Sequence, residues 1–211
     1  MSEICSMLHH FLNQLRRYHY PYDADKIIKN GIYIIFERGE FAHGVDRIVR
    51  LGSHRSDDCL VMRLNEHFIN ENKDRSIFRK NIGRALLKKA EDPYLSIWEL
   101  DLTSRKSRER YAYRVDHHRQ EQIEAEVTKI LHSNFSFCVI PVEGKENRKY
   151  FEARLIATVA QCTQCRPSKN WFGLYSTKEK IRISGLWNYQ HLAGDTISQI
   201  EFERLTRWLQ E

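Results

Sequence analysis

Arg63 and His67 are the first side chains in this 211-residue sequence whose types and spacing suggest chemistry. Four residues apart on a helix, they project from one face, one turn apart. They flank the apolar stripe Leu60, Leu64 and Phe68, which places them at the rim where a helix meets a sheet. An arginine there can clamp a phosphate with its fork of donors, and a histidine can move a proton or orient a water. A solvated pair on an ordinary amphipathic helix is the competing reading. Glu152 precedes Leu155 and Ile156 by three and four residues and so shares their core-facing stripe. A carboxylate in that position is expensive unless it is paired or holds a cation. Mg²⁺ suits such a group, because it takes one or two carboxylates together with waters and phosphate oxygens. A salt bridge to a nearby arginine is the alternative.

The hydrophobic pattern supplies elements to position these residues. Residues 6–18 carry Met7, Leu8, Phe11, Leu12 and Leu15 at helical spacing, and the Pro21 region ends that helix. Residues 31–37 (GIYIIFE) are β-branched and aromatic and read as a buried strand. A turn between Gly39 and Gly44 leads to a second strand over 46–51, hairpin-paired with the first. Helices are expected over 58–70 and 76–91, a strand over 97–102, a helix over 118–132 and a buried strand over 135–142. Asn147 opens a helix running to about Cys162, and a last helix lies near residue 200. The pattern is α+β, a small mixed or antiparallel sheet flanked by helices. It is organised as one domain, with an N-terminal helix in 1–22, a core at about 30–70 and 133–175, a helical insertion at about 71–132 and an extension over 176–211.

Lys and Arg total 34 against 28 Asp and Glu, a net charge of +6, and the pI is near 9.1. That excess favours a polyanionic partner, since basic side chains gain affinity by displacing phosphate counterions. With 41% hydrophobic residues the chain can build a sizeable core, which excludes a disordered protein. No stretch approaches the ~18 apolar residues that a bilayer requires, and no signal peptide is visible. The expectation is a cytoplasmic protein whose five cysteines are reduced. Cys162 and Cys165 form a CxxC pair, half of a zinc site or a redox pair. A zinc site needs about four ligands, and no second CxxC or spaced His pair follows, so the two read as helix-end thiols.

Arg105, Lys106, Arg108, Arg110, Arg114 and Arg119 crowd one segment of the insertion, interleaved with Tyr111 and Tyr113. Basic residues among aromatics suit binding along a nucleic-acid backbone with base stacking. A solvated helix face is the alternative. Lys169 adds a further basic position near the end of the core.

The order of these features resembles the GIY-YIG endonuclease superfamily, the group that contains homing endonucleases, the nucleotide-excision-repair incision subunit and certain restriction enzymes. Gly31-Ile32-Tyr33 opens the first strand and Arg50-Leu51-Gly52 closes the second. Arg63-Leu64-Asn65-Glu66-His67 follows on a helix, Phe151-Glu152-Ala153-Arg154-Leu155-Ile156 opens a later one, and Asn170-Trp171 comes after a proline. The resemblance runs from about residue 30 to 172 and is interrupted at about 71–134. It implies that Tyr33 acts near the attacking water as a base or its relay, and that Arg63 stabilises charge developing on the phosphate. By the same resemblance His67 matches the histidine one turn on, Glu152 holds a single divalent ion, Mg²⁺ or Mn²⁺, and Asn170 supports the site from its far side. The substrate it implies is DNA.

One motif departs from the pattern. Arg50-Leu51-Gly52 stands where Tyr-Ile/Val-Gly is usual, and the spacing between the two motifs is longer. Gly52 is kept and the second tyrosine is gone, so its role would pass to Tyr33, His54 or a bound water. Arg50 could add a phosphate contact, and Arg50 or His54 could supply the cation that lowers a tyrosine's pKa. Three readings follow: a metal-dependent DNA endonuclease, a nucleic-acid-binding module that cuts slowly or not at all, and an interaction protein with a residual motif. Retention of Tyr33, Arg63, His67, Glu152 and Asn170 together speaks against the last.

Overall fold

A computed structural model describes residues 2–209. Met1, Gln210 and Glu211, which end the segments expected at 1–22 and 176–211, lie outside the described residues. The helix α1 (Ser2–Gln14) is followed by a hairpin of β1 (Gly31–Ala42) and β2 (Val45–Gly52). Next come α2 (Leu60–Phe68), α3 (Ile77–Lys89), the short α4 (Leu95–Trp98), α5 (Arg105–Tyr111) and α6 (His117–Asn134). Then β3 (Phe135–Pro141), α7 (Lys145–Gln161), α8 (Glu179–Ser184) and α9 (Gln199–Arg207) complete the chain. The fold is α+β, with a three-stranded antiparallel sheet in the order β2-β1-β3.

Alternation along β1 sorts the core into two layers. Ile32, Ile34 and Phe36 face one side, with Cys138 and Ile140 of β3, and are covered by α1, α7 and α9. Tyr33 and Ile35 face the other, with Phe135 and Phe137, under α2, α3 and α6. Between the pairs Ile35–Arg50 and Phe36–Ile48 the register slips by one residue, which leaves Val49 as the extra residue of a β-bulge. The bulge turns Arg50 to the Tyr33 face, although Ile48 points to the opposite layer.

Helix starts are fixed by side-chain caps at Ser76, Asp116 and Ser198, each accepting the amide three residues on. Three expectations change. The run at 97–102 is not a strand: Asp92-Pro93 starts a single helical turn, with the Tyr94 amide donating to Asp92 Oδ1 at 2.8 Å. Trp98 then seals it by donating to the Lys80 carbonyl at 3.0 Å. The first helix ends at Gln14, well before Pro21, because Tyr18 leaves the helix to exchange backbone hydrogen bonds with Phe137. β1 also runs farther than 31–37, and its last residues pair only with β2, so the hairpin projects beyond β3.

Candidate active site

Tyr33 lies on the central strand and is 1% exposed. Its hydroxyl is 2.8 Å from His67 Nε2 on α2, so the first motif and the helix motif meet in one contact. His67 Nδ1 is 2.6 Å from Ser76 Oγ, the cap of α3. Burial, reinforced by the charges of Arg63, Arg50 and Arg79, holds the His67 pKa well below the usual imidazole range. It is therefore a neutral ring. Arg79, itself fully buried and paired with Glu124 at 2.9 Å, donates to the His67 carbonyl at 3.2 Å. The segment expected as an insertion thus supplies Ser76 and Arg79, which seat the histidine.

Arg63 projects from α2 as the helical spacing requires, and its charge falls on the Tyr33 hydroxyl. Its Nη1 donates to Glu66 Oε2 at 2.7 Å and to the Arg75 carbonyl at 2.9 Å. Gly52 pairs with Tyr33 across the β1–β2 ladder, and the tyrosine ring lies over its Cα. Ser53, the next residue, donates its hydroxyl to Glu152 on α7. Tyr33, Arg63 and His67 therefore converge, and Glu152 joins them through Gly52-Ser53 at the end of β2. Glu152 is half-exposed, not buried. It flanks the stripe of Phe151, Leu155 and Ile156, so core burial does not by itself demand a cation there. One accessible carboxylate held by the Ser53 hydroxyl still fits Mg²⁺ or Mn²⁺, which keep most of their shell as water and substrate oxygens.

Two expected roles are corrected. Arg50 makes no outward phosphate contact: it is buried, donates to the Trp187 carbonyl at 3.0 Å and lies over the Phe78 ring. The bulge at Val49 aims it inward. His54 accepts the Gly31 amide at Nε2 (3.1 Å) and lies 2.6 Å from the Ser56 carbonyl at Nδ1. Its pKa is lowered by burial, so it is a neutral clamp on the start of β1 and supplies neither a cation nor a free base. Asn170 is exposed, and its backbone amide donates to Ser168 Oγ at 3.3 Å. Its neighbours dock at the hairpin half of the sheet: the Ser168 amide donates to Glu40 at 3.1 Å, and Trp171 donates to Glu37 at 2.8 Å. Lys169 is exposed in the same loop.

The basic positions Arg105, Lys106, Arg108, Arg110 and Arg114 are exposed on and beside α5, with Arg119 half-buried at the start of α6. Several are already engaged. Arg105 pairs with Glu109 at 2.7 Å, Arg108 holds the Leu102 and Thr103 carbonyls at 3.0 and 2.7 Å, and Arg119 pairs with Asp92 at 2.5 Å.

Two further residues at the site escaped sequence reasoning. Asn188 clasps the outer edge of β2, taking the Leu51 amide at 3.1 Å and giving to its carbonyl at 2.8 Å. Arg148 sits one turn before Glu152 on α7 and is fully buried. It donates to Asp57 at 2.6 Å, while its Nε and Nη1 have no partner. The four-residue spacing to Glu152 was the signal that could have found it.

Among the described residues no helix is long and apolar enough to cross a membrane. No curated protein and no solved structure matches the sequence. A family model described as the GIY-YIG domain matches residues 2–210, nearly the whole length, including the helices between α2 and β3. The chain belongs to the GIY-YIG domain family, a family of nucleases.

Proposed function

We propose that this protein is a metal-dependent DNA endonuclease, and the 2.8 Å contact between the Tyr33 hydroxyl and His67 Nε2 carries the reading. With its proton on Nδ1, facing Ser76 Oγ, the neutral imidazole presents a lone pair to the tyrosine. The Tyr33 proton can then pass to His67 as the tyrosine oxygen takes one from an attacking water, the usual geometry of a relayed general base. Arg63 stands against the same oxygen and favours negative charge there. A phosphate competing with Glu66 for the guanidinium would be clamped through its non-bridging oxygens. Glu152 is the residue to hold Mg²⁺ or Mn²⁺, which would supply electrostatic stabilisation of the cleaved phosphodiester and its leaving oxygen.

A second reading, a DNA-binding module with weak or lost cleavage, is favoured by one observation. Arg50 stands where the second motif has its tyrosine and is buried here, donating to the Trp187 carbonyl and lying over the Phe78 ring. Incubating the protein and Glu152→Ala with supercoiled and single-stranded DNA, in Mg²⁺ or Mn²⁺, separates the two. Nicking by the parent that the substitution abolishes supports the endonuclease. Binding without nicking by either protein supports the module, and the absence of both refutes the two readings together.

A further inference from the structure

The far end of the β1–β2 hairpin carries a cluster of a different chemistry. Cys5 and His9 lie four residues apart on α1, so their side chains share a face, and both are fully buried. His43 occupies the turn between β1 and β2 with a positive φ of 54°, and its ring lies 5.0 Å from that of His9. Cys165 follows α7 and is 2% exposed. One donor atom from each of these four residues lies within 4.8 Å of the others.

The individual separations are those of a coordination shell. Cys5 Sγ is 3.4 Å from Cys165 Sγ. His43 Nε2 is 3.1 Å from Cys165 Sγ, and His9 Nε2 is 3.8 Å from it. A tetrahedral zinc ion with Zn–S about 2.3 Å and Zn–N about 2.0 Å sets its donors roughly 3.3–3.8 Å apart. His9 Nδ1 is 2.9 Å from the Cys5 carbonyl and donates its proton there, which leaves the Nε2 lone pair facing the cluster. That is the outer hydrogen bond a metal-bound histidine characteristically makes. The Ile48 amide reaches the same nitrogen only at 3.3 Å and would be released on coordination.

Hydrogen bonding alone accounts poorly for the cluster, because thiols are weak donors and weak acceptors. Two thiol and two imidazole donors turned toward one another in an apolar core are the donor set a borderline-soft cation takes. We propose that Cys5, His9, His43 and Cys165 bind a structural zinc ion that pins α1, the hairpin turn and the chain after α7 to one another. All four positions are protein ligands, so the site is closed and has no catalytic opening. Thiolate and imidazole donors also separate it from the carboxylate site at Glu152, which suits a hard ion. Cys162, with Sγ 3.6 Å from His43 Nε2, stands beside the shell and is outside it. Cys165 of the CxxC pair thus finds its fellow ligands upstream, on elements far away in sequence.

The test is elemental analysis of the full chain purified under reducing conditions. One zinc per chain is expected, retained in Glu152→Ala and in Cys162→Ser and lost in Cys165→Ser and His43→Ala. Should the last two variants fail to fold, the parent chain stripped of metal and refilled with Co²⁺ carries the test. A thiolate-to-cobalt charge-transfer band with intense tetrahedral d–d absorption is then expected. Zinc well below stoichiometry with no such band, or a Cys5–Cys165 disulfide in the native protein, overturns the proposal. Loss of zinc in Glu152→Ala also overturns it, by assigning the ion to the nuclease site, whereas absent DNA cleavage leaves it standing.

Discussion

Gly52 faces Tyr33 so closely across the β1–β2 ladder that a Cβ on Gly52 would stand 2.1 Å from the tyrosine hydroxyl. The glycine of the second motif is thereby a fitted partner of the tyrosine of the first. Gly52→Ala is expected to push the ring off His67, costing about 1–3 kcal/mol as an overpacked core site. DNA nicking should fall at least about tenfold, since a relay misplaced by an ångström loses most of its effect. Urea unfolding and single-turnover nicking check this, and parent-like values in both would show that the ring does not need that gap.

The pH dependence of stability should contain two opposing parts. Burial holds His67 in the native chain well below the 6.5 of a free imidazole. As pH falls through about 6.5 the unfolded chain takes up a proton that the native chain refuses. Stability then drops toward acid by up to about 1.4 kcal/mol per pH unit. Burial raises the Glu37 carboxyl from 4.5 to about 7 where it accepts from Trp171 and Trp187. Between those values the native chain holds a proton that the unfolded chain has released, so this contribution is present at low pH and lost as pH rises toward 7. His67→Gln should therefore gain stability, relative to the parent, between pH 7 and pH 5, and Glu37→Gln should lose it. Denaturant midpoints at pH 5, 6 and 7 read the difference, and three parallel curves would refute it.

Arg148 is an ionised group kept in the interior with two donors unsatisfied, at a cost of order 1–3 kcal/mol. It stands one turn from Glu152, and both reach the loop that follows β2. Arg148→Met is expected to melt no lower than the parent while cutting and binding DNA several-fold less well. A variant that melts lower and binds DNA normally would make the arginine purely structural.

Arg114 is exposed beside α5, whereas Arg108 is occupied with two backbone carbonyls. If this surface tracks a DNA backbone, Arg114→Ala should weaken binding uniformly across sequences. It should also reduce the slope of log affinity against log salt by about one unit. Titrations at three salt concentrations suffice, and an unchanged slope removes α5 from the interface.

Local periodicity was enough to read the sheet strands, the α2 stripe and the placing of Arg63 with His67, because each depends on residues within one or two turns. What failed depended on distant partners. Ser168 grips Glu40 at the hairpin half of the sheet, a contact that no nearby spacing encodes. Glu152 looked buried because it precedes two core residues, yet it stands at the edge of the α7 stripe, where Ser53 meets it. Arg50 looked free to meet phosphate until the bulge at Val49 reversed its direction. The run at 97–102 had strand-like composition, and its Asp-Pro start, read as a stop, is what began a helical turn.

The hairpin that outgrows β3 ties together two traits that would otherwise look unrelated. Its added length is what lengthens the interval between Tyr33 and Gly52, and its tip is what carries His43 to Cys165. The interval and the cysteines should consequently be inherited as one character. Relatives with a short first hairpin should lack the residues equivalent to Cys5, His9 and Cys165, and those with a long one should keep them. Collecting such sequences would expose a break in that linkage without any protein being made.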